Sequence, residues 1–260
     1  MTDKLSSQSR AACRIVAVTG TDTGIGKTVV AAALAARGRV MGLRIAAMKP
    51  IESGVTARES ANNPNARSDS EILSEAAGTD GLMHLVGPIT LEEPLSPMIA
   101  AERAGITLDL SILERARETL TAERDLLVVE GAGGLLSPIT RTFSFAQLFK
   151  QWNAALIVVA GNKLGVLNHV MLTVSAAESA GLSVLAVVLT DISDHDPSIA
   201  EATNYDALVS LLPKYPIYRL PWIDRVQETS ALAAAARGAG FDRLLMSASS
   251  NQTSENLSLD

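Results

Sequence analysis

The sequence predicts an α/β fold, a doubly wound and mainly parallel sheet flanked by helices. Three observations carry that expectation. The runs Leu126–Glu130 (LLVVE), Ala155–Ala160 (ALIVVA) and Ser183–Thr190 (SVLAVVLT) are apolar almost throughout, as strands buried on both faces of a helix-covered parallel sheet must be. Helical patterns separate them, so strand and helix alternate along most of the chain. The first strand candidate, Ile15–Thr19, runs directly into a glycine-rich turn and then an alanine-rich helix over Lys27–Arg37.

The remaining elements follow in order. Arg44–Lys49 is the next strand. Gly54–Arg67, rich in Asn and Ser, is the one clear long loop. Ser68-Asp69-Ser70-Glu71 has the spacing of a capping box and sets a helix start at Ser68. Ser96-Pro97 reads as N-cap and first helical residue, with Gly105 as the stop. Helices are expected over Ser111–Arg124 and Asn168–Ala180, the second closed by Gly181. Met1–Ala12 reads as a loose leader and Ser247–Asp260 as a disordered polar tail. Residues 13–246 then form a single domain, with no internal repeat and no linker long enough to divide them.

Composition narrows the class of function. The 22 Lys and Arg against 28 Asp and Glu give a net charge of −6, which argues against a nucleic acid or an anionic lipid surface as partner. A local cationic pocket for a small polyanion stays compatible with it. With 47% hydrophobic and only 3% aromatic residues, the core must be built from Ala, Leu and Val. The single Cys13 excludes an intrachain disulfide and a cysteine metal cage, and fits a reducing cytoplasm. No apolar run reaches the ~18–20 residues of a membrane span, and the N-terminus lacks the pattern of a signal peptide. A cytoplasmic protein is expected.

The turn after the first strand is Gly20-Thr21-Asp22-Thr23-Gly24-Ile25-Gly26-Lys27-Thr28. Such glycines let backbone amides point at a polyphosphate, and the following helix N-terminus favours negative charge. Lys27 would reach the outer phosphates and the Thr28 hydroxyl would hold Mg²⁺. Lys49-Pro50-Ile51-Glu52-Ser53-Gly54 ends the second strand, at the edge where doubly wound sheets bind ligands. Glu130-Gly131-Ala132-Gly133-Gly134 ends another strand, so a carboxylate emerges at the same edge. Asp69, at a helix start, is equally accounted for by the helix dipole.

These segments together, GTDTGIGKT, KPIESG, RSDS, LSP, VEGAGG, GNKLGVLNHVMLT and the late PWI, closely resemble the dethiobiotin synthetase family of P-loop NTPases. The resemblance runs in order from about Ile15 to Ile223. It implies an ATP- and Mg²⁺-dependent carboxylation and ring closure of 7,8-diaminononanoate with CO₂, a late step of biotin synthesis, in a homodimer with the active site near the subunit interface. Carried over by position, Gly24, Ile25, Gly26, Lys27, Thr28 and Val29 bind the nucleotide phosphates. Thr28, Asp69 and Glu130 match the Mg²⁺ positions, and Lys49 and Lys27 the catalytic lysines. Thr23 and Ser53 match substrate contacts, while Asn168 matches the segment reaching substrate from the neighbouring subunit. Gly131, Ala132, Gly133, Pro221, Trp222 and Ile223 match further nucleotide contacts. Helix capping is the alternative for Asn168 and His169, and for His169 it is the preferred reading.

Two departures stand out. Relatives usually carry Asn-Asp where this chain has Thr190-Asp191, and there the Asn reads the adenine edge. Glu52 adds a negative charge where many relatives are neutral, which would repel an anionic intermediate unless it turns away from Lys49. The reaction implied needs no protein nucleophile. A substrate amine takes up CO₂ as a carbamate, the γ-phosphoryl group converts this to a carbamic–phosphoric anhydride, and the second amine closes the ring and expels phosphate. Lys27, Lys49 and Mg²⁺ would neutralise the charge. Both lysines are expected to be exposed pocket groups that matter little to folding. A catalytically silent paralogue retaining the fold is the alternative. A partition-type switch ATPase would carry a lysine where this chain has Asp22, and a cobyrinate-type amidotransferase would need a glutaminase domain with a reactive cysteine.

Overall fold

The computed structural model describes residues 12–55, 67–226 and 228–249. Its main sheet has six strands: β1 (Arg14–Gly20), β2 (Ile45–Met48), β5 (Leu126–Gly134), β6 (Ala155–Gly161), β7 (Ser183–Thr190) and β8 (Ile217–Leu220). Their order is β2-β5-β1-β6-β7-β8, and every pairing is parallel. A second, two-stranded parallel sheet pairs β3 (Ile51–Ser53) with β4 (Ile89–Leu91). The expected doubly wound sheet is therefore present.

Alternation along each strand feeds two cores. Val16, Val18, Val128, Ile157, Val159 and Val188 face one side. There they meet α1 (Lys27–Val40), α2 (Asp69–Ala77), α9 (Thr229–Gly238) and α10 (Phe241–Ser249). Ala17, Leu127, Val129, Val158, Val187 and Leu189 face the other. That side is covered by α4 (Pro97–Ala104), α5 (Ser111–Thr121), α6 (Phe145–Gln151) and α7 (Val166–Ser179). Both faces are dry, which is why the strands read as unbroken apolar runs. In α1 the run Ala31–Ala36 is buried throughout, because small side chains let this helix lie close on the sheet. Gly38 extends that approach: a Cβ there would collide with Ile45.

Several boundaries differ from expectation for identifiable reasons. β5 continues through its glycines to Gly134, pairing Gly20 with Gly134 across a register shift in β1. The α2 capping box forms as expected, with Ser68 accepting from the Glu71 amide. Pro97 does open α4 and Gly105 closes it at φ 68°, but the Ser96 side chain makes no capping bond. Helix α5 stops at Thr121, before Glu123 turns left-handed at φ 58°. Helix α7 begins at Val166 with Gly165 as its N-cap at φ 91°. Asn168 and His169 thus lie inside the first turn and do not cap it, because Gly165 already supplies the left-handed entry. Ser247, Ala248 and Ser249, expected in the polar tail, instead close α10, with Ala248 buried. The leader, most of the Gly54–Arg67 loop and the rest of the tail lie outside the described residues. A short turn (Asp80–Leu82), α3 (Met83–Val86) and α8 (Ile199–Leu211) complete the chain. Among the described residues no helix is long and apolar enough to cross a membrane.

Candidate active site

Parallel strands share a direction, so the C-terminal ends of β1, β2, β5, β7 and β8 meet at one edge of the sheet. A cleft of about 450 Å³ opens there. Its walls include Thr23, Gly24, Gly26, Lys27, Thr28, Val29, Lys49, Ser53, Asp69, Glu130, Ala132 and Gly133 at one end. Asp191, Pro221, Trp222 and Ile223 line the other, with Ile192, Leu220 and Val226 as apolar wall, and Thr190 joins the two ends by packing against Gly26. Three residues singled out from sequence lie elsewhere. Ile25 is buried under the loop, and Gly131 is buried behind Glu130. Asn168 is exposed on α7 and takes no part in the cleft.

The loop between β1 and α1 turns through Gly24 at φ 71° and Gly26 at φ 90°, conformations that suit glycine. Lys27 curls back over it, its Nζ donating to the Asp22 carbonyl at 2.8 Å. Thr28 opens the helix with its hydroxyl donating to Glu130 Oε1 at 2.9 Å. The same Oε1 accepts from Lys49 Nζ at 2.5 Å, and Nζ also donates to the Gly131 carbonyl at 3.3 Å. Asp69 Oδ2 lies 2.9 Å from Lys49 Nζ. Four elements thus bring Thr28, Lys49, Asp69 and Glu130 to one point. Asp69 faces the cleft as well as sitting at a helix start.

The two lysines are not the exposed groups expected. Lys27 is 6% exposed and Lys49 4%, because the loop folds over the first and β2 delivers the second inside the sheet edge. Burial holds the Lys27 ammonium below the ordinary lysine range, and the charge of Lys49 adds to this against the carboxylates. For Lys49 burial acts downward too, but Glu130 and Asp69 outweigh it and its pKa is raised. The two carboxylates at 2.5 and 2.9 Å thus favour the ammonium form of Lys49.

Glu130 Oε2 is fully buried and has no hydrogen-bond partner among the described residues. A buried carboxylate oxygen without a donor is costly, and a hard cation is the partner such an oxygen takes. Thr28, Asp69 and Glu130 are all oxygen donors, few enough to leave room for water and phosphate oxygens, which is the donor set Mg²⁺ prefers. These residues fit the ion.

At the other end the polar groups are already engaged. The Thr190 hydroxyl lies 2.7 Å from the Ile25 carbonyl and 3.2 Å from that of Ala160. Its proton serves the loop rather than a ligand. Asp191 accepts from Asn162 Nδ2 at 3.0 Å and pairs with Arg219 at 3.1 Å. Asn204 in turn donates to Asn162 Oδ1 at 2.9 Å. This amide network was missed from sequence, although Asn162 stands in the quoted GNKLG segment. The apolar wall of Ile192, Leu220 and Val226 was missed as well. Glu52 turns away from the cleft and accepts from the Asp69 amide at 2.7 Å and the Ser70 amide at 3.1 Å.

The family model described as an AAA domain matches residues 14–230. The chain is 39% identical over 206 residues to the ATP-dependent dethiobiotin synthetase BioD of Anaeromyxobacter dehalogenans, covering 79% of this chain and 88% of that one. To the protein of the same name from Thermodesulfovibrio yellowstonii it is 34% identical over 225 residues, covering 82% and 92%. Among solved structures, a DUF1611-family protein from Anabaena variabilis superposes with a TM-score of 0.50 at 16% identity. That match covers 91% of this chain and 57% of the other, and speaks to the fold alone.

Proposed function

The chain belongs to the ATP-dependent dethiobiotin synthetase family, and we propose that its cleft performs the carboxylation and ring closure of 7,8-diaminononanoate with CO₂ and ATP. The observation that carries this is the convergence of Thr28, Lys49, Asp69 and Glu130, with an unpartnered buried oxygen, beside a glycine loop shaped for phosphates.

The glycine loop and the α1 N-terminus hold the triphosphate. Thr28, Asp69 and Glu130 would hold Mg²⁺, which when bound supplies positive charge against the phosphate oxygens. Lys49, paired with its two carboxylates, offers N–H donors from an ammonium ion. Its work is to neutralise negative charge on the carbamate and on the transferring phosphoryl group. Lys27 contributes a second donor from the loop. The carbamate oxygen forms a bond to the γ-phosphorus as the bond to ADP breaks. The second amine nitrogen then bonds the carbonyl carbon as inorganic phosphate leaves with its electron pair, and the nitrogen gives up its proton. Thr23 and Ser53, lining the cleft beside the lysines, are the substrate contacts in this reading.

Asn168 belongs to a second part of the proposal. It is exposed on α7, where Leu172 is 61% exposed, and Leu164, in the loop just before the helix, is 86% exposed. An apolar face of that kind suits a second copy of the chain, which would bring Asn168 toward the neighbouring cleft. Leu172→Asp should then convert a dimer to a monomer in sedimentation.

The test of the activity is direct. Purified protein with diaminononanoate, bicarbonate, ATP and Mg²⁺ should yield the cyclic urea by mass spectrometry, with one ADP per product. Well-folded protein giving neither product nor ADP would favour the silent paralogue.

A further inference from the structure

We propose that Glu52 is a positioning residue that frees Asp69 to face the phosphate site. The inference rests on the reading of Asp69 given above. Glu52 is 1% exposed in β3, carries a charge, and does not line the cleft. Its neighbour Ser53 does line it, and strand alternation sends Glu52 the other way, onto the start of α2.

Both Glu52 oxygens are in use there. Oε1 accepts from the Asp69 amide at 2.7 Å, and Oε2 from the Ser70 amide at 3.1 Å and the Ser70 hydroxyl at 2.5 Å. The next amide, that of Glu71, donates to Ser68 Oγ at 3.1 Å. The Glu71 carboxylate accepts from the Ser68 amide at 2.7 Å. The open donors of the first turn are thus satisfied without the Asp69 side chain. An aspartate at this position ordinarily serves its own helix end. Here that work is done by Glu52 and Ser68, and the Asp69 carboxylate lies against Lys49 instead.

Helix capping alone does not account for Glu52. The Ser68–Glu71 box already caps this helix, and burying a carboxylate is costly before its hydrogen bonds are counted. What the charge adds is a rigid tie between the segment that carries Lys49 and the helix that carries Asp69. The tie is closed from behind. The Lys49 amide donates to the Val86 carbonyl at 2.6 Å, and Gly87 packs so tightly on Ser70 that a Cβ there would collide with its hydroxyl.

Direct metal binding tests this. Mn²⁺ is titrated by electron paramagnetic resonance into full-length protein saturated with a non-hydrolysable ATP analogue. Glu52→Ala should weaken binding by about 10- to 100-fold, the usual effect of removing a group that orients a metal ligand. Ser70→Ala should weaken it in the same direction by less, and Glu52→Gln should recover part of the loss. Glu71→Ala removes a cap from the same helix without touching Asp69. It should lower the melting temperature yet leave metal binding within about twofold, since only the orienting groups carry the larger effect. Excess Mg²⁺ should restore kcat in Glu52→Ala, which a merely destabilised enzyme would not show. Metal binding in Glu52→Ala equal to wild type, or no weaker than in Glu71→Ala, overturns the proposal. Should Glu52→Ala fail to fold, unchanged binding in Ser70→Ala and Glu52→Gln overturns it. Asp69→Asn separates the two levels: unchanged binding there removes Asp69 itself from the metal site, whereas lost binding there with normal binding in Glu52→Ala removes only the positioning role.

Discussion

The two ends of the cleft are built on opposite principles. At the phosphate end, charged groups are buried, mutually bonded and held by several elements, with one carboxylate oxygen left over. At the other end, the walls are apolar, Trp222 is 46% exposed, and the nearby polar side chains are spent on the protein itself. Charge in a dry site demands particular residues at particular positions, because each unpaired group is expensive. Stacking and shape demand only apolar surface. Under the function proposed here, the chemistry is fixed at one end, while recognition of a base would be left to contour at the other.

The largest effects should come from breaking the fixed end. Lys49→Ala should lower turnover by at least ~10²-fold, as loss of one transition-state donor does elsewhere. Because it strands a buried Glu130, it should also cost about 3–5 kcal/mol of stability in chemical denaturation, contrary to what an exposed lysine would give. Lys27→Ala should lose turnover by a similar ~10²-fold with a smaller stability change, since its ammonium bonds a carbonyl rather than a carboxylate. Normal turnover in Lys49→Ala would remove it from the mechanism.

The permissive end should respond in selectivity more than in rate. The Thr190 hydroxyl is engaged below the loop, so it cannot present the donor and acceptor pair that Asn offers adenine. Wild type should discriminate ATP from GTP and CTP by about 10- to 100-fold less in kcat/KM than relatives with Asn, and Thr190→Asn should recover part of that difference. Strong rejection of GTP and CTP by wild type, unchanged in Thr190→Asn, would mean that another group reads the base edge. The smallest effect is expected for Trp222→Ala. Loss of stacking surface worth about 1–3 kcal/mol at most should raise KM for every nucleotide alike, leaving kcat in place.

Legibility followed the same division. The sheet, the glycine loop and the residues Thr28, Lys49, Asp69 and Glu130 were readable because apolar runs and motif spacing are local signals. Glu52 was readable only as an anomaly, since its partners are the amides of a helix 17 residues on. The burial of the lysines and the Asn162–Asn204 pair depend on which strands and helices become neighbours, and no local pattern records that. Helix capping, preferred for His169 and kept as the alternative for Asn168, fails because the true start, Gly165, works through its backbone rather than a side chain.

The central claim is that Thr28, Asp69 and Glu130 form one cation site beside Lys49, ready before nucleotide arrives. A crystal structure with Mg²⁺ and a non-hydrolysable ATP analogue tests it most directly. The account predicts a metal on the Thr28 hydroxyl with the Glu130 and Asp69 carboxylates facing it, directly or through one bound water. It also predicts Lys49 still paired with Glu130 and pointing at the terminal phosphate. An Asp69 carboxylate turned to solvent, farther than ~5 Å from the metal and so out of reach even through a bound water, would contradict it.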